Sequence, residues 1–86
     1  MGKLEKLKER ILSGTSDANI DFKSLCKIIT RLGFRERIRG DHHVFSRPGI
    51  DEILNLQPMK SKAKPYQVKQ TRNLIIKYRL GDEDVE

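Results

Sequence analysis

The sequence contains a single cysteine and no tryptophan, and its longest unbroken apolar run is three residues, Leu74 to Ile76. A membrane-spanning helix needs about 20 apolar residues and the core of a signal peptide about 7–15, so neither is predicted. Cys26 has no second cysteine with which to form an internal disulfide or a multi-cysteine zinc site, which is typical of a reducing compartment. We expect a cytoplasmic protein with no membrane partner, in which Cys26 contributes to packing.

The chain also lacks the length for a second catalytic domain, because it has 86 residues and single cores run to about 50–200. Leu, Ile, Val and Phe together account for 24 residues, or 28% of the chain. This fraction exceeds the roughly 20% below which chains tend to remain disordered. The sequence therefore predicts one folded domain with a thin core.

Acidic residues are scarce until the end of the chain. The acidic tail, residues 82–86, holds four of them, whereas residues 1–81 carry 18 basic and eight acidic side chains, a formal charge of +10. A surplus of this size on a small body attracts polyanions, of which nucleic acid is the commonest. The tail is either a solvated end or a mimic of nucleic acid that folds over the basic surface.

Periodicity divides the chain into six elements. Apolar residues at helical spacing predict an amphipathic helix over residues 3–12, and a polar connector completes the first segment, residues 1–20. Asp21 is a favourable N-cap for a second helix, which ends before Gly33. Alternation and turn residues predict three antiparallel strands and a last helix, at residues 34–39, 42–47, 50–57 and 66–79.

This order indicates an α+β fold. Residues 21–81 have the α-β-β-β-α layout of double-stranded-RNA-binding domains (dsRBDs), in which a three-stranded antiparallel sheet is buried by two helices on one face. The helix within residues 1–20 is additional to that layout. It is either an appendage or an arm that contacts a partner.

The two histidines are the residues best suited to catalysis. His42 and His43 are adjacent on a predicted strand, so their side chains point to opposite faces. They cannot converge on one substrate or one metal ion, and zinc, which needs three or four convergent ligands, is not predicted. A single imidazole is suited to removing a proton near neutral pH. In RNA this proton belongs to the 2′-hydroxyl, which can then attack the neighbouring phosphorus without a metal.

Basic residues surround this pair in the sequence. Arg35, Arg37 and Arg39 alternate along the strand before the histidines, Arg47 ends the histidine strand, and Gly40 leaves room for a substrate backbone. The stretch from residue 60 to residue 79 has seven basic residues and no acidic one. We expect the RNA-binding residues to be Arg37, Arg39, Gly40, Lys60, Lys62, Lys64 and Lys69.

Four motifs in residues 21–80 resemble the HicA (YcfA-type) toxin family of bacterial toxin–antitoxin systems. They are Leu32-Gly33-Phe34, the run Gly40-Asp41-His42-His43-Val44-Phe45, Arg47-Pro48-Gly49, and Lys64-Pro65 followed by Val68-Lys69. The resemblance implies a dsRBD-like fold and a metal-independent endoribonuclease that cleaves messenger RNA and needs no cofactor. It also implies a HicB-type antitoxin as partner, and His43, the second histidine of the pair, as the catalytic residue.

Two functions follow from these patterns. The first is an RNA-cleaving toxin in which His43 is the general base. The second is a non-catalytic module of the same fold that binds RNA or an antitoxin through the same basic residues. Substitution of His43 separates them, because only the first function depends on its imidazole.

Overall fold

The structure, a computed structural model, describes residues 3–81, so the acidic tail lies outside the described residues. The predicted α-α-β-β-β-α order is confirmed, with a short 3₁₀ turn at Asp17–Asn19 between the first two helices. The strands form one antiparallel sheet in the order β1-β2-β3. The elements are α1 (Lys3–Ser13), α2 (Phe22–Arg31), β1 (Arg35–Arg39), β2 (His42–Arg47), β3 (Ile50–Leu56) and α3 (Pro65–Tyr78).

Helix α2 begins and ends where its capping residues predict. Asp21 Oδ2 accepts hydrogen bonds from the backbone N–H of Ser24 at 3.1 Å and from its hydroxyl at 3.0 Å. These bonds stabilise the charged carboxylate and lower the pKa of Asp21. At the other end Gly33 has a φ of +98°, a left-handed conformation that favours glycine. The chain can therefore turn at once into β1.

The two faces of the sheet differ completely in what covers them. Cross-strand partners share a face, and the aligned residues Phe45 and Leu54 are 0% and 3% exposed. The helix-covered face is defined by Glu36, Ile38, His43, Phe45, Leu54 and Leu56; its Phe45, Leu54 and Leu56 belong to the core shared with the helices, whereas Ile38 is 60% exposed. The open face, defined by Arg35, Arg37, Arg39, His42, Val44 and Asn55, has no helix against it among residues 3–81. Alternation along β1 therefore puts its three arginines on the side opposite Glu36 and Ile38.

Helix α1 is part of the body and does not project as an arm. Leu7 and Ile11 are buried in the same apolar cluster as the residues of α2 and the sheet. The guanidinium of Arg72 in α3 donates to the carbonyl of Ile11 at 3.1 Å and to the carboxylate of Asp17 at 3.0 Å. These contacts fix the connector against α3, so the helix inferred as an addition contributes to the shared core.

Helix α3 closes the core with one apolar stripe. Its buried residues include Val68, Thr71 and Ile75, and Tyr78 is partly buried beside them. Proline at the first helical position is compatible with a helix start, since the N–H it lacks would have no partner there. No helix within residues 3–81 has the length and apolar content needed to cross a bilayer.

Candidate active site

The candidate site is centred on His43, which the β1–β2 hairpin places beside an acidic side chain. His43 is aligned with Ile38, so Glu36, two residues along β1, lies diagonal to it on the same face. His43 Nδ1 is 2.6 Å from Glu36 Oε2. An ionised carboxylate can only accept a hydrogen bond, so Nδ1 carries a proton, and in the neutral imidazole the lone pair is then on Nε2. This is the tautomer that a general base requires.

The imidazole of His43 is restrained by its neighbours and is only partly buried. Its side chain is 23% exposed, and that of Glu36 is 29% exposed. The edge of Phe22, at the start of α2, packs on the imidazole with ring centroids 5.0 Å apart and planes at 75°. The Phe22 contact and the Glu36 hydrogen bond together restrict rotation of the ring while one part of it stays accessible to solvent.

Cys26 of α2 is the third polar group at this point. One donor atom each from Cys26, Glu36 and His43 lie within 4.8 Å of one another. Burial, and secondarily the negative charge of Glu36, raise the pKa of the Cys26 thiol to about 12. A thiol with this pKa stays protonated at neutral pH, so the cluster does not present a cysteine nucleophile.

A lysine loop, residues 58–64, borders the site at the start of α2. The backbone N–H of Phe22 donates to the carbonyl of Ser61 at 2.9 Å, and Ala63 N–H donates to the carbonyl of Ile20 at 2.8 Å. The loop is thereby tied to the residue whose ring touches His43. Lys60 and Lys62 are exposed, and Lys64 is half-buried. The backbone of the lysine loop is therefore fixed beside Phe22, and the ammonium group of Lys64 lies 3.5 Å from Gln57 Oε1.

Lys60 occupies an unusual backbone conformation at the tip of this loop. The turn from Met59 to Lys62 is closed by two backbone hydrogen bonds of 2.9 and 3.1 Å. Within it Lys60 has a φ of +61°, which is left-handed. This conformation costs a residue with a Cβ about 1–2 kcal/mol. The reciprocal hydrogen bonds of the turn hold it in place.

Arg37 and Arg39 are not brought to His43. They are aligned with Val44 and His42, so they lie on the open face together with Arg35. Arg47, which ends the histidine strand, donates to the carbonyl of Leu32 at 2.8 Å and so caps the end of α2. The alternation along β1 puts Arg37 and Arg39 on the side of the sheet opposite His43.

His42 lies on the open face, away from His43, as adjacent strand positions predict. Its Nδ1 is 3.0 Å from Asn55 Oδ1, and its side chain is 49% exposed. Asp41 accepts a hydrogen bond from Gln57 Nε2 at 2.7 Å, and this bond lowers the pKa of Asp41. Asp41 thus faces Gln57 and His42, and the carboxylate that contacts His43 is Glu36.

The remaining predicted residues lie at the margins. Gly40 forms the hairpin tip with a φ of +61°, and a Cβ placed there would meet nothing within 4 Å. The space beside it is open, which agrees with the expected room for a substrate backbone. Lys69 is exposed on α3, one turn after the lysine loop.

Sequence reasoning did not identify Glu36, Phe22 or Cys26 as neighbours of His43. The signal for Glu36 was present, since a two-residue turn at residues 40–41 aligns Ile38 with His43 and makes Glu36 its diagonal neighbour. Cys26 and Phe22 are four residues apart on the apolar stripe of α2. Which strand that stripe contacts depends on how the helix docks.

The geometry therefore carries the functional argument without support from relatives. No family model, no curated protein and no solved structure matches the chain.

Proposed function

We propose that this protein is a metal-independent endoribonuclease of the HicA toxin type, with His43 as its general base. One observation carries the proposal: the partly exposed His43 donates from Nδ1 to Glu36, which in a neutral imidazole leaves the lone pair on Nε2. A base fixed in this way, with cations available from the lysine loop, matches what RNA cleavage through the 2′-hydroxyl needs.

The reaction follows from the positions of these groups. Nε2 of His43 takes the proton of a ribose 2′-hydroxyl, and the 2′-oxygen attacks the adjacent phosphorus. The bond to the 5′-oxygen breaks, and that oxygen takes a proton from solvent. The products are a 2′,3′-cyclic phosphate and a 5′-hydroxyl. Glu36 stabilises the imidazolium that forms, in the manner of the carboxylate in a catalytic triad.

The lysine loop supplies the charge that this reaction needs. Negative charge builds up on the phosphate oxygens in the transition state, and cations placed beforehand stabilise it. Lys60, Lys62 and Lys64 are the predicted RNA-binding residues of this loop, whose backbone is hydrogen-bonded to that of Phe22. We assign them to the scissile phosphate and its neighbours, and Lys69 to the RNA backbone beyond.

Cleavage of RNA in EDTA tests the proposal. The purified protein is incubated with a single-stranded RNA of mixed sequence, and the products are examined for 2′,3′-cyclic phosphate and 5′-hydroxyl ends. We expect cleavage by the wild type in EDTA and none by His43→Ala. Activity that chelation abolishes would overturn the metal-free mechanism.

Expression in cells tests the toxin role and the antitoxin partner that the resemblance implies. The wild type should arrest growth when expressed alone, and His43→Ala should not. A HicB-type partner that covers the site should bind both forms and relieve the arrest. Growth unaffected by either form would argue against a toxin.

The arginines of the open face favour a second candidate function. Arg35, Arg37 and Arg39 form a cationic row on the side of the sheet away from His43. A non-catalytic module would use this row to bind RNA or an acidic partner. It predicts RNA binding that survives His43→Ala and is lost when the three arginines are replaced, with no cleavage by any variant.

A further inference from the structure

The cluster of Cys26, Glu36 and His43 has a donor set that the ribonuclease mechanism does not use. RNA cleavage through His43 needs the imidazole and its carboxylate but has no role for a half-buried thiol. Sulfur, nitrogen and oxygen donors from α2, β1 and β2 nevertheless meet within 4.8 Å. It is the only such convergence of three metal-ligating side chains among residues 3–81.

We propose that Cys26, Glu36 and His43 form a binding site for one zinc-class divalent cation. Binding displaces the proton of the Cys26 thiol to solvent, so that the cation is bound by a thiolate. Thiolate and imidazole ligands favour Zn²⁺ over Mg²⁺ or Ca²⁺, which prefer oxygen. Three protein ligands leave a fourth tetrahedral position for water, and the partial exposure of Glu36 and His43 gives that position access to solvent.

The distances require only small movements. Ligand atoms around tetrahedral zinc are about 3.3–3.6 Å apart, given bonds of about 2.0–2.3 Å. The 4.8 Å limit of the cluster is roughly 1.2–1.5 Å wider than this spacing. The 2.6 Å contact between His43 and Glu36 must lengthen by less than about 1 Å as the cation replaces the proton that they share.

A bound cation would switch off the proposed base. If it takes Nε2 of His43, it occupies the lone pair directly. If it takes Nδ1, the ring proton moves to Nε2, which then donates and no longer accepts. In both cases the imidazole cannot remove the 2′-hydroxyl proton. This inhibitory half of the proposal rests on the proposed function, whereas the binding half stands without it.

Titration with Co²⁺, as a spectroscopic substitute for zinc, tests the binding half. The full chain under reducing conditions should bind one Co²⁺ with a thiolate-to-cobalt charge-transfer band, and Zn²⁺ should displace it. Cys26→Ser should abolish the band, and His43→Ala should weaken binding more than about tenfold. His42→Ala is the matched control, because its ring lies on the open face, and it should bind as the wild type does.

Thermal unfolding gives a second readout that does not depend on the spectrum. Melting curves in EDTA establish that each variant is folded, and excess Zn²⁺ should then raise the Tm of the wild type and of His42→Ala but not of Cys26→Ser. Absence of a thiolate band at stoichiometric Co²⁺ would overturn the site. So would equal loss of binding in His42→Ala and His43→Ala.

RNA cleavage tests the inhibitory half separately. Zn²⁺ should inhibit the wild type, EDTA should restore it, and the ratio of rates with and without zinc should approach one in Cys26→Ser. Cobalt binding without any RNA cleavage would refute the ribonuclease and keep the metal site. Cleavage in EDTA without thiolate-dependent cobalt binding would refute the metal site and keep the ribonuclease.

Discussion

The two faces of the sheet place adjacent histidines in opposite settings. On the helix-covered face His43 is 23% exposed, touches Phe22 and donates to Glu36. On the open face His42 is 49% exposed and neighbours a row of arginines. The basic strand residues lie on the open face with His42, whereas the charged strand residue beside His43 is the acidic Glu36. The lysine loop is therefore the source of the cations that we assign to the His43 site.

The largest expected effect separates the two histidines themselves. His43→Ala should lower kcat for RNA cleavage by about 100- to 10,000-fold, the contribution typical of a general base. His42→Ala removes an open-face ring that contacts Asn55 and should leave kcat within about threefold. Single-turnover cleavage assays with both variants measure this contrast. Equal losses would mean that the hairpin as a whole, and not one face, is required.

The carboxylate on the helix-covered face comes next in size. Glu36→Gln removes the charge that stabilises the imidazolium, so kcat should fall about 10- to 100-fold while KM changes little. Glu52→Gln is the control, because Glu52 contacts Lys77 and Tyr78 and not His43. A rise in KM without a fall in kcat would assign Glu36 to RNA binding.

Charge neutralisation compares the cations of the two faces directly. Replacing Lys60, Lys62 and Lys64 by Gln should weaken RNA binding and reduce the slope of log Kd against log salt by about 2, at roughly 0.7 per phosphate contact on single-stranded RNA. Replacing Arg35, Arg37 and Arg39 by Gln should leave that slope within about 0.5 of the wild type. The reverse ranking would favour the binding module on the open face.

The smallest expected effect concerns stability at the far end of the helix-covered face. Lys77 Nζ and the Tyr78 hydroxyl donate to Glu52 at 2.7 and 2.6 Å, and these bonds lower the pKa of Glu52 from 4.5 to about 2. The stabilisation is therefore present above pH 4.5 and is lost as pH falls toward 2. Glu52→Gln should lower Tm at pH 7, with a difference from the wild type that shrinks across this window.

An exposed aspartate next to Glu52 offers the matched control for that measurement. Asp51→Asn alters the same strand on its exposed side and should show no comparable convergence of melting temperatures. A Tm difference for Glu52→Gln that stays constant from pH 7 to pH 2 would mean that the ion pair does not contribute through its charge.

Local patterns predicted the elements well, because caps and turns act over a few residues. The Asp21 cap, the glycine after α2 and the alternation of β1 and β2 all indicated structure that is present. The same alternation already implied that Arg37 and His43 point in opposite directions. The alternation does not indicate which face of the sheet α2 covers.

Long-range contacts account for what the sequence left open. Cys26 reaches His43 only because α2 docks across β1 and β2, and Arg72 fixes α1 only because the connector passes over α3. Such pairings join residues distant along the chain and depend on the total shape of the core. Periodicity reports which side of a helix is apolar but not which strand it will meet.

At Lys60 the left-handed backbone conformation favours glycine, whereas the proposed binding of RNA favours a positive charge. Glycine there would relieve a conformational cost of about 1 kcal/mol, a substantial part of the reserve of so small a domain. It would also remove an ammonium group from the apex of the lysine loop. Backbone conformation and positive charge therefore make opposite demands on the residue at this position.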